Sequence, residues 1–129
     1  MPHLVMLYTP QLDAQTDLSR LCRKLADAML SVRDEQGVQV FPTGGTRVLG
    51  YPAAHHAVAD GSGDHAFIYF SVRMARGRGG GVHQAIGEAL SATIREQLGP
   101  LLAARPVGLT LQSDEGPEVF DAQLGNLHA

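Results

Sequence analysis

Hydrophobic and polar positions along this chain alternate between extended runs and helical stripes. His3 to Tyr8 is almost wholly apolar, the pattern of a strand covered on both faces. Thr9 to Gln15 reads as a loop, after which Thr16 or Asp17 offers an N-cap. Leu18, Leu21, Cys22, Leu25, Met29 and Val32 then recur at helical spacing, with Arg20, Arg23, Lys24, Asp27 and Ser31 on the opposite side. That helix is expected to end near Gln36-Gly37, with Gly37 as its stop. Val38 to Phe41 alternates like a strand, Pro42 to Gly45 interrupts it, and Thr46 to Leu49 resumes the extended pattern. Gly50 to Gly63 is small and polar, a loop in which His55 and His56 read as surface residues.

Ala66 to Val72 is the strongest strand, rich in aromatic and β-branched residues and expected at the centre of a sheet. A glycine-rich turn leads into a second helix striped by Val82, Ile86, Ala89, Leu90, Thr93, Ile94 and Leu98, which Gly99-Pro100 should kink or split. Val107, Leu109 and Leu111 alternate as a final strand, and a polar tail carries Val119, Phe120, Leu124 and Leu127. The order is strand–helix–strand twice, so each half reads as a βαβ unit with parallel strands and a right-handed crossover. We expect an α/β (α+β) fold in a single domain spanning residues 1–129. Its first unit covers about 2–50, its second about 64–113, and its tail 114–129.

Composition narrows the function classes. A chain of 129 residues with 44% hydrophobic and 18% charged positions can bury a real core. Its formal net charge of −3 gives no general attraction to nucleic acid or acidic membranes, so an anion site must come from local arginines. Cys22 is the sole cysteine, which excludes an internal disulfide and a cysteine metal site and fits a small core residue. Trp is absent and aromatics make up 5%, which argues against a base-stacking surface. No stretch approaches a membrane span or a targeting signal, and the expected location is cytoplasmic.

Three positions carry candidate chemistry. Pro2 has no N–H to give a ladder and is tolerated at a strand's first residue, so a plain strand start accounts for it. If Met1 is removed, the same residue supplies a secondary amine at the end of a rigid strand, able to act as a base. Arg47 follows Gly44-Gly45-Thr46, and Arg78, with Arg76 beside it, sits among glycines just before the second helix. A helix N-terminus favours an anion, and a guanidinium there can clamp a carboxylate, although a solvated turn explains both arginines as well. The glycines fit neither a P-loop nor a dinucleotide fingerprint, and neither Ser71 nor Ser91 has an elbow context.

The Met1-Pro2-His3 start, Phe41-Pro42-x-x-Gly45-x-Arg47, Asp64-x-Ala66-Phe67, the Gly77-Arg78 turn and the Asn126-x-His128 ending together resemble the 5-carboxymethyl-2-hydroxymuconate isomerase family of the tautomerase superfamily. The resemblance runs over nearly the whole chain. It implies two βαβ units forming a mixed sheet with two helices on one face, and a homotrimer. It further implies an acid/base role for the amine of Pro2, with Arg47 and Arg78 binding a di- or tricarboxylate substrate. A prolyl amine in an apolar pocket beside two guanidinium groups is disfavoured in its charged form by desolvation and by like charge, which draws its pKa toward neutrality. No metal or organic cofactor is implied. Leu7 stands where relatives can carry a carboxylate, and Val48-Leu49-Gly50-Tyr51 lacks an arginine and a tryptophan they carry. The alternatives are a non-enzymatic oligomer of the same fold that holds a small carboxylate, and a ferredoxin-like regulatory domain.

Overall fold

A computed structural model describes residues 2–127, and its elements follow the order set by the hydrophobic pattern. Strand β1 is His3–Tyr8, helix α1 is Leu18–Ser31 and strand β2 is Arg47–Pro52. Strand β3 is Ala66–Met74, helix α2 is Gly80–Ala104 and strand β4 is Val107–Glu115. The four strands form one mixed sheet in the order β2-β1-β3-β4. β1 runs parallel to β2 and β3 parallel to β4, as crossover helices require, while β1 and β3 meet antiparallel at the centre. Both helices pack on the same face and touch each other. Two βαβ units, joined through β1 and β3, therefore make the expected α+β architecture.

The core lies between helices and sheet. Leu4, Met6 and Tyr8 alternate inward from β1, and Ile68, Phe70, Val72 and Met74 from β3. Leu21, Leu25 and Met29 of α1 meet them, as do Ile86, Leu90, Ile94 and Leu98 of α2. The helix-free face carries the alternate residues. Leu7 stands between Tyr51 and Tyr69 in register, and these three are about half exposed, at 47%, 50% and 49%. No helix among the described residues is long and apolar enough to cross a membrane.

Four expectations need correction. α1 stops at Ser31, with Val32 extended after it, rather than near Gly37. The Asp34 side chain accepts from the amides of Gln36 and Val38, and this local turn outcompetes the last helical turn. Gly37 has φ 79° and serves that turn. Val38 to Phe41 is no strand. Its ladder pairing among the described residues is one isolated bridge between Arg33 and Gln39, and Phe41 turns into the core instead. Tyr51 and Pro52, expected in a loop, end β2, where an edge strand tolerates proline. Finally, α2 runs on through Pro100 unsplit, because Leu98 and Leu101, both buried, anchor it on either side. The expected loop after β1 also contains a short 3₁₀ turn, Pro10–Ala14.

Candidate functional site

The topology brings distant residues to one end of the sheet. Pro2 is buried immediately before β1. Arg47, half-buried, opens β2 and is the register partner of His3. β3 runs the other way, so its last residues, Arg73 and Met74, also arrive beside the start of β1. The loop that follows carries Arg78 to the first residues of α2. Pro2, Arg47 and Arg78 thus lie at the same end of the sheet. His128, part of the motif at the chain's end, lies outside the described residues, as does Met1.

Arg78 lies against a residue that the hydrophobic pattern assigned to a strand. Its guanidinium carbon lies 5.5 Å from the ring centroid of Phe41, whose side chain is wholly buried. Arg78 Nε is buried and meets no hydrogen-bond acceptor among the described residues. The segment bearing Phe41 is pinned from several sides. Val40 N–H donates to Val32 O at 3.1 Å, and Gln39 Nε2 donates to Phe41 O at 2.7 Å and Thr43 Oγ1 at 3.2 Å. Thr46 Oγ1 donates to Pro42 O at 2.9 Å. Gly77 adopts φ 89° in the loop before α2, and Gly79 caps that helix without a side chain, leaving its first amides to an incoming acceptor. The signal for Phe41 was its place in Phe41-Pro42-x-x-Gly45-x-Arg47, close to one candidate arginine with no hint of the other.

Arg76 does different work. Its Nε donates to Gly116 O at 2.9 Å and its Nη2 to Glu118 O at 2.8 Å, so it fastens the C-terminal segment to the end of β3. Gly116 N–H adds a bond to Met74 O at 2.9 Å, and Arg73 Nη2 stands 3.8 Å from Glu118 Oε1. A cavity of about 350 Å³ lies here, lined by His3, Arg73, Met74, Ala75, Glu118 and Asp121. Larger hollows exist elsewhere. One of about 850 Å³ sits at the opposite end of the sheet beside Asp64, His65 and Arg105. Arg105 is already occupied there, donating to Gln15 Oε1, Asp64 O and Pro106 O. His55 and His56 are exposed, and His83 in α2 lies 2.8 Å from Glu115 Oε1.

One internal polar pair stands apart from this end. Tyr8 donates to Asp13 Oδ1 at 2.8 Å. Burial, then that hydrogen bond and the Asp13 charge, push the phenol up to about 12. Cys22, half-buried against the core, has its thiol raised by burial alone, which suits a packing residue rather than a nucleophile.

Comparison with known proteins gives a consistent result. The family model for 5-carboxymethyl-2-hydroxymuconate isomerase matches residues 2–129. A crystal structure of a 5-carboxymethyl-2-hydroxymuconate delta-isomerase is similar at 55% identity and TM-score 0.95, covering 99% of this chain and 91% of that one. A 5-carboxymethyl-2-hydroxymuconate isomerase from Deinococcus radiodurans R1 is similar at 28% identity and TM-score 0.85, covering 98% and 91%. The 5-carboxymethyl-2-hydroxymuconate Delta-isomerase of Escherichia coli is 23% identical over 129 residues, all of this chain and 98% of that protein.

Proposed function

Because this chain belongs to the 5-carboxymethyl-2-hydroxymuconate isomerase family, and is an isomerase of the tautomerase superfamily, we propose that it converts a 2-hydroxymuconate-type dienol acid to its 2-oxo-3-ene form with the amine of Pro2 as acid and base. The convergence of Pro2, Arg47 and Arg78 on one end of the sheet carries this reading. With Met1 removed, the neutral amine takes the proton of the 2-hydroxy group. The conjugated electrons shift along the diene, and the ammonium returns a proton to a carbon further along, so no external reagent is consumed. Burial of Pro2 disfavours a permanent positive charge, which keeps the amine available as a base. Arg47 and Arg78 hold the carboxylates and offset charge that develops on the 2-oxo side. The exposed amides at the start of α2 add to the same field.

The assembly we propose is a homotrimer. Leu7, Tyr51 and Tyr69 on the helix-free face and Phe120 and Leu124 in the tail are exposed in the single chain. Contact with neighbouring copies would bury both sets. The function is tested at the amine. Intact-mass measurement of the cellular protein establishes whether Met1 is gone. Retaining Met1 or alkylating the amine should cost about 10²–10⁴-fold in the loss of dienol absorbance. Pro2→Ala, which keeps a less constrained primary amine, should retain part of the rate. Undiminished turnover with the amine blocked would take Pro2 out of the mechanism. What would then remain is a carboxylate-binding oligomer built on Arg47 and Arg78.

A further inference from the structure

Phe41 is the described side chain on which Arg78 rests, and the contact is selective about which donors it leaves free. The ring face meets the guanidinium at 5.5 Å from its centroid. A phenyl face offers no lone pair, so it steadies the cation while accepting no hydrogen bond in a directed lone-pair sense. Arg78 Nε is buried and has no acceptor among the described residues, so the edge that water and a ligand can reach is the pair of terminal nitrogens. A carboxylate approaching end-on, bonded to one N–H of each terminal nitrogen, meets the bidentate geometry that guanidinium and carboxylate share. The backbone on either side of Phe41 is fixed by Gln39, Thr46 and Val32, so the ring is a rigid platform rather than an incidental neighbour.

We infer that Phe41 is the positioning residue for Arg78: it holds the guanidinium with its terminal N–H edge presented to one carboxylate of the substrate, and so sets the affinity for that carboxylate. This rests on the reading of Arg78 as a substrate-binding residue. Phe41 itself does not touch the reacting atoms.

The test is a double-mutant cycle on the full-length protein, with muconate as the dicarboxylate probe and a 2-hydroxymuconate as substrate. Phe41→Leu removes the aromatic face with a modest change of volume, and Phe41→Met is a second variant that fills the same space with a flexible chain. Phe70→Leu, at another fully buried phenylalanine in β3, is the control for general loosening of the core. Phe41→Leu and Phe41→Met should each raise the muconate Kd by about 3- to 10-fold, the range of a partly desolvated cation–π contact, and lower kcat/KM by at least the same factor. Phe70→Leu should lower the melting temperature comparably and leave Kd unchanged. In an Arg78→Ala background the Phe41 changes should add nothing further.

Equal Kd losses from Phe41→Leu with Arg78 intact and in the Arg78→Ala background would overturn the inference, as would a Kd loss matched by Phe70→Leu. Either result would leave Arg78 standing as a binding residue. An Arg78→Ala protein with unaltered Kd and KM would instead remove the reading beneath it.

Discussion

At the scale of single residues, the two loop arginines look interchangeable in sequence and are opposite in structure. Arg76 gives its donors to the carbonyls of Gly116 and Glu118, whereas Arg78, over Phe41, has no acceptor for its buried Nε among the described residues. Arg78→Ala should therefore weaken muconate binding by about 1.5–3 kcal/mol, the worth of a charge-assisted hydrogen bond. Arg76→Ala should leave that affinity nearly unchanged, and calorimetric titration of both variants distinguishes specific recognition from loop charge. Tyr8 makes a separate prediction. Its phenol is raised from an ordinary value near 10 to about 12 by burial and by Asp13. The folded chain thus binds that proton more tightly than the unfolded chain. Its contribution is complete below pH 10 and is lost as pH rises toward about 12. Urea midpoints measured across that window should fall less steeply for Tyr8→Phe than for the parent. Equal slopes would mean that the alkaline loss comes from other groups.

At the scale of elements, legibility followed how strongly periodicity was imposed. β1, β3 and both helices were readable because their apolar residues repeat along a buried face, Leu4, Met6 and Tyr8 being the plainest case. Val38 to Phe41 misled because so short an alternation is also what a pinned loop shows when its last side chain enters the core. The end of α1 misled because the Asp34 carboxylate, not the spacing of apolar residues, decides it. Of the candidate site, Pro2, Arg47 and Arg78 are what the resemblance proposes, whereas the contact of Arg78 with Phe41 came only with the structure. A contact between residues so far apart in sequence leaves no periodic trace. Pro100 is the remaining element-scale case. It lies exposed inside α2, lacks the N–H that would bond to Glu96 O, and is tolerated because Leu98 and Leu101 are buried around it. Pro100→Ala should stabilise the chain by about 1–3 kcal/mol, the range separating proline from alanine in a helix interior after partial relaxation. A thermal melt showing destabilisation would mean that the proline's geometry serves the packing of the last turn.

At the scale of the whole molecule, one sheet face is closed by helices and the other is left with Leu7, Leu49, Tyr51 and Tyr69 exposed, while the tail offers Phe120, Leu124 and Leu127. Light scattering at micromolar concentration should give three times the mass of one chain, and removing residues after Glu118 should weaken that assembly. A stable monomer from the intact chain would refute the trimer. The placement of β1 has a different kind of consequence. Its strand is the first made, yet it ends in the middle of the sheet, flanked by β2 and β3, with Pro2 buried at its tip. A peptidase that trims Met1 must reach the bond before Pro2, and Pro2 is buried in the finished sheet. The last residue of β3 leaves the ribosome's active centre roughly 4–14 s after Pro2 at 5–20 residues per second. On the proposed role of Pro2, trimming that precedes the docking of the third strand yields a chain with a free amine, so the timing of Met1 removal during synthesis would govern how much of the protein can work by that route.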